Sequence, residues 1–538
     1  MSEHKEKDDY LPSNCFVTSM LTDMYQLTMT YAYWKGGRSD DVAVFDLLFR
    51  KNPFGGEYTI FAGLDECLRY VNVFGFSDTD VSNLRALFPE WEEKFWDYLL
   101  ALDTSKIKVY AMREGAVAFP KVPMIRVEGP LGVAQLLETT FLCLVNFPSL
   151  VATNAARHRI AAGPTKKLSE FGLRRAQGPD GAMSASRYAY LGGFDATSNL
   201  AAGIKNDILL RGTHAHSFVS SYIGLHELNT KLLRRANSDE EVDFVDLCQN
   251  QLKLLKASRC NTGELAAFIA YAQAYPKGFL ALVDTYDTLS SGVPNFLAVS
   301  LALNKLGYQP VGIRLDSGDL AYLSRECRKQ FIQVSKAFSV PFEKLTIVAS
   351  NDLNEEVLYS LRDQGHEIDS FGIGTHLVTC QRQPALGCVY KLVEINGSPR
   401  IKVSQDIVKV TIPGRKKPFR LYGRANQPVL DLLVLAGSPD PVVGERILCR
   451  HPFDSQKRVY ISPQRVEPLH TLVWDGKSVP PLYSLQQCKE YCASQLKAVR
   501  SDHIRRLNPT PYKVSVTLEL FTFLNDLWQS EVPIPEID

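Results

Sequence analysis

A β/α barrel with an α+β domain beside it is the fold this sequence predicts, and three observations predict it. The chain has 538 residues, more than one hydrophobic core serves, so at least two structural domains or one large fold with additions are expected. Between about residues 168 and 378, short apolar runs end in clusters of Gly, Asp, Ser, Thr, Arg or His, and the later ones alternate with helix-length amphipathic segments. A barrel gathers its ligand groups at strand C-termini in that way, whereas a doubly wound open sheet concentrates them at one switch point. Outside that window, both ends of the chain carry β-rich runs, and the later runs are joined by Asn-Gly and Pro-Gly turns.

In chain order, residues 1–14 read as a disordered tail by composition. Residues 15–130 form the α+β domain, with a helix over 21–34 and strands over 42–49, 107–111 and 124–127. The apolar stretch 131–156 carries Gln135, Glu138, Asn146, Pro148 and Asn154, too many polar groups for a lipid-facing helix, and reads as a buried helix interrupted at Pro148. The barrel domain spans 131–385. Its strand ends are GLRRAQG after Phe171, GGFDATSN after Tyr190-Leu191, RGTHAHS after 208–210, DTYDT after 280–283, RLDSGD after 311–313, ASND after 345–348 and GIGT after Phe371. Beyond 386 the rhythm becomes β-rich, with strands over 389–393, 401–404, 408–412 and 419–422 and a helical tail over 484–505. This 386–538 segment is expected to fold back on the N-terminal domain as one discontinuous unit.

Composition excludes several classes of function. Sixty Lys and Arg face 59 Asp and Glu, so no bulk field draws the chain to nucleic acid or an anionic membrane. Hydrophobic residues at 45% and charged residues at 22% match a soluble globular protein. Eleven cysteines without a C-x-x-C suggest reduced, mostly buried thiols rather than a disulfide framework or zinc ribbon. The opening MSEHKEKDD cannot be a signal-peptide core, so a cytosolic location is expected. Asn396-Gly397-Ser398 has the form of a glycosylation sequon but reads as a hairpin turn. Gly476-Lys477-Ser478 lacks the earlier P-loop glycine, because that position is Thr471. Gly372-Ile373-Gly374 lacks the third glycine of a dinucleotide fingerprint, because that position is Leu377. His226-Glu227 lacks the second zincin histidine, and no G-x-S-x-G elbow occurs.

What remains is a set of strand-end residues. Gly372, Gly374 and Thr375 offer either a phosphate cradle or a tight turn, and the glycines alone favour neither. Arg314 can grip a carboxylate in a forked geometry beside Asp316 and Asp319, which suit ribose hydroxyls or a divalent ion; an internal salt bridge is the alternative. In Gly212-Thr213-His214-Ala215-His216-Ser217, a neutral imidazole at a phosphate-binding mouth is a competent phosphoryl acceptor. Arg174-Arg175 and Arg157-His158-Arg159 could clamp pyrophosphate or pair with acids. Asp284 and Asp287 suit a metal, a hydroxyl, a developing cation or a helix cap.

On these and further segments the sequence resembles the nicotinate phosphoribosyltransferases of the vertebrate-type group. The segments are LTDMYQLTM (21–29), FRKNPFGGEY (49–58), SLVATNAAR (149–157), GLRRAQGPDG (172–181), YLGGFDATSN (190–199), GTHAHSFV (212–219), IRLDSGDL (313–320), FGIGT (371–375) and LGCVYKLV (386–393). The resemblance implies an irregular type II phosphoribosyltransferase barrel acting as a homodimer. It implies synthesis of nicotinate mononucleotide from nicotinate and phosphoribosyl pyrophosphate, with ATP as co-substrate through a phosphohistidine and Mg²⁺ or Mn²⁺ as cofactor, its ligands left open. By position, His216 is the phosphorylated residue; Tyr25, Thr213 and Arg314 contact nicotinate; and Thr375 holds the phosphoribosyl substrate. Gly372, Gly374, Arg174 and Asp316 are expected beside it, and Asp284 is expected to steady positive charge at the ribose. His214 stands where an apolar residue is expected. The sister nicotinamide phosphoribosyltransferase activity, another sugar-phosphate barrel enzyme and a non-catalytic scaffold are the alternatives.

Overall fold

The computed structural model describes residues 10–404, 406, 409–477 and 483–531, so most of the expected 1–14 tail and part of the expected 408–412 strand lie outside the described residues. The chain divides into two compact units: one of residues up to 154 with 191–193 and 380 onward, the other of 155–190 with 194–379.

The second unit carries a parallel six-stranded sheet. Its strands are β1 (Lys167–Glu170), β2 (Ala196–Thr197), β3 (Leu280–Leu282), β4 (Gly312–Leu315), β5 (Thr346–Ser350) and β6 (Ser370–Ile373). Their spatial order is β3-β4-β5-β6-β1-β2. In register, Leu282 faces Arg314, Arg314 faces Val348, Ser350 faces Gly372, Ile373 faces Glu170, and Glu170 faces Thr197. The polar residues that follow each short apolar run therefore gather at one end of the sheet.

Beyond β2, a single parallel bridge joins Thr197 to Leu210. At the far edge, the backbone N–H of Leu282 in β3 donates to His214 Nε2 at 3.2 Å. An imidazole thus takes the bond that a neighbouring strand would have taken, and the barrel is irregular at that seam. Around the sheet, the crossover helices keep their apolar stripes inward. Leu320–Phe338 starts at Asp319, whose side chain accepts the Tyr322 N–H, and buries Leu320, Ala321, Ser324, Cys327, Phe331 and Val334 at helical spacing.

The first unit holds two six-stranded sheets. In one, Val42–Phe49 lies antiparallel between Ile125–Pro130 and Cys388–Ile395. In the other, Lys416–Tyr422 and Pro428–Leu435 form an antiparallel pair over a core of Phe419, Leu421, Leu430, Leu432, Val434 and Cys449. Two fully buried ion pairs cross-link this unit. Lys416 Nζ meets Asp46 at 2.8 Å, and Arg420 reaches both oxygens of Asp431 at 2.8 Å.

Several expectations need correction. Tyr190-Leu191 ends a helix, Gly178–Leu191, and the strand expected there is Ala196–Thr197 instead. Residues 208–210 contribute one bridge rather than a strand. Pro148 does not interrupt its helix: Glu138–Ala162 runs through it, and the break falls earlier, where Leu131–Leu136 ends at Leu137. The next residue, Ser149, accepts the Ala62 N–H and donates to the Ala62 carbonyl, both through its hydroxyl. Residues 401–404 form no strand. Residues 131–154, expected in the barrel domain, fall in the first unit with the strands they pack against.

Candidate active site

The strand ends of the second unit bring two carboxylates and a hydroxyl together around His216. Its side chain is 45% exposed at the first turn of His216–Ser220. Nδ1 lies 3.0 Å from Thr285 Oγ1, while Nε2 looks toward Asp316 at 3.6 Å and Asp284 at 4.0 Å. Thr285 follows Asp284 after β3, so one loop supplies both contacts.

Asp284 is almost fully buried. Its Oδ2 accepts the Asp316 backbone N–H at 3.0 Å and the Ser317 hydroxyl. Oδ1, on the His216 side, is buried without a hydrogen-bond partner. An unpaired carboxylate oxygen is costly to bury, so this one is poised for a cation or a donor from a ligand.

Arg314 projects from β4. Nε donates to Ser350 Oγ at 2.7 Å, one terminal nitrogen to Thr213 Oγ1 at 3.3 Å and the other to Asp316 Oδ1 at 3.2 Å. Three of five N–H donors are thereby used, leaving two open to a ligand anion. The guanidinium also lies 5.6 Å from the Phe171 ring centre. Thr213 and Arg314, 101 residues apart in sequence, are therefore direct neighbours.

Phe171 links this cluster to the glycine loop. A Cβ on Gly372 would come within 2.3 Å of the Phe171 ring, and one on Gly374 within 3.1 Å of the Phe171 carbonyl oxygen. Gly372 belongs to β6, so its missing side chain serves packing against Phe171. Gly374 then leads to Thr375, which opens the short helix Thr375–Thr379. Arg174 and Arg175 stand exposed on the turn after β1, with no carboxylate partner among the described residues. Their loop and the Gly374–Thr375 loop touch, since Gly172 abuts Val378. Glu170 ties the corner down by accepting from Gly172 N–H, Ser186 Oγ and Thr197 Oγ1.

Other candidates are consumed by the fold. Arg157 pairs with Glu355 at 2.8 Å in a buried contact, and Arg159 with Asp195 at 2.5 Å, so neither is a free clamp. Asp287 caps the turn Thr288–Gly292 by accepting from Ser290, and Asp319 is a helix cap. Burial pushes His214 down to about 4, and its Nε2 already accepts the Leu282 N–H. Tyr25 stands in the first unit, half-exposed on Met24–Lys35. The sequence reading missed Thr285, Ser350 and Glu170. The first two lie inside strand-end segments it had marked, and Glu170 within the run before Phe171.

Comparison with known proteins shows the family. Residues 20–146 match the nicotinate phosphoribosyltransferase N-terminal domain, 166–425 the nicotinate phosphoribosyltransferase family and 415–524 its C-terminal domain. Nicotinate phosphoribosyltransferase 2 of Arabidopsis thaliana is 56% identical over 98% of this chain and 97% of its own. The Homo sapiens nicotinate phosphoribosyltransferase is 44% identical over 96% and 97%. The crystal structure of human nicotinic acid phosphoribosyltransferase covers 94% of this chain and 99% of its own, with a TM-score of 0.86 and 43% identity. With three domain matches in series and relatives this similar along nearly its whole length, the chain belongs to the nicotinate phosphoribosyltransferase family.

Proposed function

We propose that this enzyme joins nicotinate to phosphoribosyl pyrophosphate, giving nicotinate mononucleotide and pyrophosphate, and couples the step to ATP hydrolysis through His216. The observation that carries the reading is the half-exposed His216 imidazole, held by Thr285 and facing Asp284 and Asp316, next to the Arg314–Thr213 pair. Phosphorylation would form a bond from a ring nitrogen to the γ-phosphorus of ATP. The bond to the ADP oxygen breaks, and the imidazole sheds its ring proton. Hydrolysis of the phosphohistidine later returns inorganic phosphate.

At the other substrates, Arg314 supplies its two open donors to the nicotinate carboxylate, with Thr213 alongside, and Gly374, Thr375 and Arg174 receive the ribose phosphate. As pyrophosphate leaves C1, the ribose gains positive charge, and the buried Asp284 is placed to stabilise it. Among the described residues, no three His, Cys, Asp or Glu side chains form a metal-binding set. A divalent ion would therefore be held mainly by substrate phosphate oxygens, with Asp284 Oδ1 as the protein ligand that fits, and when bound it neutralises charge on the leaving pyrophosphate. We also read the enzyme as a cytosolic homodimer in which Tyr25 of the partner subunit stacks on the base. Its eleven free thiols suit a reducing compartment.

The test is product formation from nicotinate and phosphoribosyl pyrophosphate, with and without ATP and Mg²⁺. Nicotinate mononucleotide that rises with ATP, together with acid-labile ³²P on the protein, is the expected result. No product in either condition overturns the reading, and product indifferent to ATP overturns the coupling.

A further inference from the structure

The loop that holds His216 is itself held by a group the reaction does not touch. Helix Thr262–Ala274 begins at Asn261, whose side chain accepts the Glu264 N–H at 2.9 Å. The Glu264 side chain is fully buried. Its Oε2 accepts from Ser291 Oγ at 2.6 Å and from Asn295 Nδ2 at 3.0 Å. Ser291 Oγ accepts the Asn261 N–H at 2.9 Å, and Asn295 Nδ2 also donates to the Asn261 carbonyl at 3.0 Å. One carboxyl thus bolts the start of this helix to the junction of Thr288–Gly292 with the helix Val293–Lys305.

That junction bears directly on the catalytic loop. Gly292 sits so close to β3 that an added Cβ would lie 1.9 Å from the Val283 carbonyl oxygen, and Val283 precedes Asp284. Moving residues 291–292 therefore moves the backbone that presents Asp284 and Thr285. The same helix also braces the opposite side of the site, where its Phe268 and Tyr271 rings pack on His214, two residues before His216.

We propose that Glu264 is a positioning residue for this active site, fixing through Ser291 and Asn295 the segment that sets Asp284 and Thr285 against His216. The inference rests on the reaction proposed above. A buried carboxyl is a poor choice for packing alone, since a Leu or Met would fill the space without a desolvation cost. Its second oxygen, Oε1, has no hydrogen-bond partner, and neither does Asn295 Oδ1. Burial, with the charges of Asp284 and Asp287 adding to it, raises Glu264 to about 7. Below that pH the carboxyl is neutral and the clamp holds. Above it, an anion is created behind the loop that carries Asp284 and Asp287, and the three repel. The nearby Cys260, raised to about 11 by burial, stays a neutral thiol throughout.

Three variants of the intact enzyme test this. Glu264→Ala should lower kcat about 10- to 100-fold while KM for nicotinate stays within about threefold, as misplacement of an aligned site does. Wild-type kcat should decline above pH 7, and Glu264→Gln, neutral at every pH, should recover kcat at pH 6.5 to within about threefold and lack that decline. Ser291→Ala should fall between them. The proposal is overturned if Glu264→Ala keeps kcat within about twofold, or if Glu264→Gln retains the wild-type alkaline decline. The glutamine profile decides alone if the alanine protein does not fold. A wild-type protein that makes no nicotinate mononucleotide would instead count against the proposed reaction.

Discussion

One residue, Ala215, separates His214 from His216, and the fold gives the two histidines opposite surroundings. His214 is buried against Phe218 and Tyr271 and spends its Nε2 lone pair on the Leu282 N–H. His216 is half in solvent with carboxylates before it. His216→Ala should abolish ATP hydrolysis and its stimulation of nucleotide synthesis while ribose phosphate still binds, as equilibrium dialysis would show. His214→Ala should spare ATP hydrolysis and cost stability. The sign of the pH dependence follows from the lowered value of His214. Unfolded, it protonates near 6.5; folded, near 4. Its contribution is intact above pH 6.5 and is lost as pH falls toward 4, a change on the order of 3 kcal/mol. Thermal melts of His214→Gln, which keeps an acceptor but cannot titrate, should therefore fall less steeply across that window than wild type. Arg314→Gln should reduce turnover of nicotinate and shrink the preference for the acid over the amide, from roughly a hundredfold or more toward unity, in a competition assay. An unchanged ratio would move carboxylate recognition to Thr213 or Arg174. Although some strand-end polar residues, such as Asp287 and Asp319, serve as caps, the members of this cluster were legible as residues of that kind. The split between the two histidines was not, since it depends on a backbone N–H at a sheet edge.

At the scale of the element, strands with clear alternation or continuous apolar runs were readable, and Val42–Phe49 matches its expected bounds. The Asn396-Gly397 turn also follows from sequence: both residues take positive φ, 48° and 77°, between Cys388–Ile395 and Ser398–Pro399. Tyr190-Leu191 misled because an apolar pair before Gly-Gly resembles a strand end, although the preceding Ala, Met, Ser and Arg residues continue a helix. Pro148 misled because a proline inside a helix is read as a break, whereas Glu138–Ala162 continues through it. Least readable were the buried ion pairs. Nothing in RLYGRANQPVLDLL marks Arg420 and Asp431 as partners, yet the pair is forked, buried, and joined by the Tyr512 hydroxyl at 3.0 Å and the Val117 carbonyl at 2.7 Å. Asp431→Ala leaves a buried guanidinium without its anion and should cost about 3 to 5 kcal/mol in urea unfolding. A loss under about 1 kcal/mol would mean that water or a neighbouring group replaces the carboxylate.

Across the whole molecule, β-rich sequence flanks the barrel segment on both sides, and both flanks fall in one compact unit. Its boundary was missed by some 25 residues, because 131–154 is apolar enough for either unit and only its packing decides. The proposed dimer is tested by mixing. Tyr25→Ala and His216→Ala proteins, each impaired alone, should regain activity together if subunits exchange, and a fully active monomer at assay concentration would refute the shared site. The interleaved chain path also has a consequence for biosynthesis. Val42–Phe49 is a central strand, but 338 residues lie between it and its partner Cys388–Ile395, which emerges from the ribosome only after them. At ordinary elongation speeds that is a delay of roughly 20 to 70 s, during which an apolar strand keeps one ladder edge open. Over the same interval the barrel sequence is completed and free to fold, so the nascent chain carries it tethered to a sheet whose central strand still lacks one neighbour.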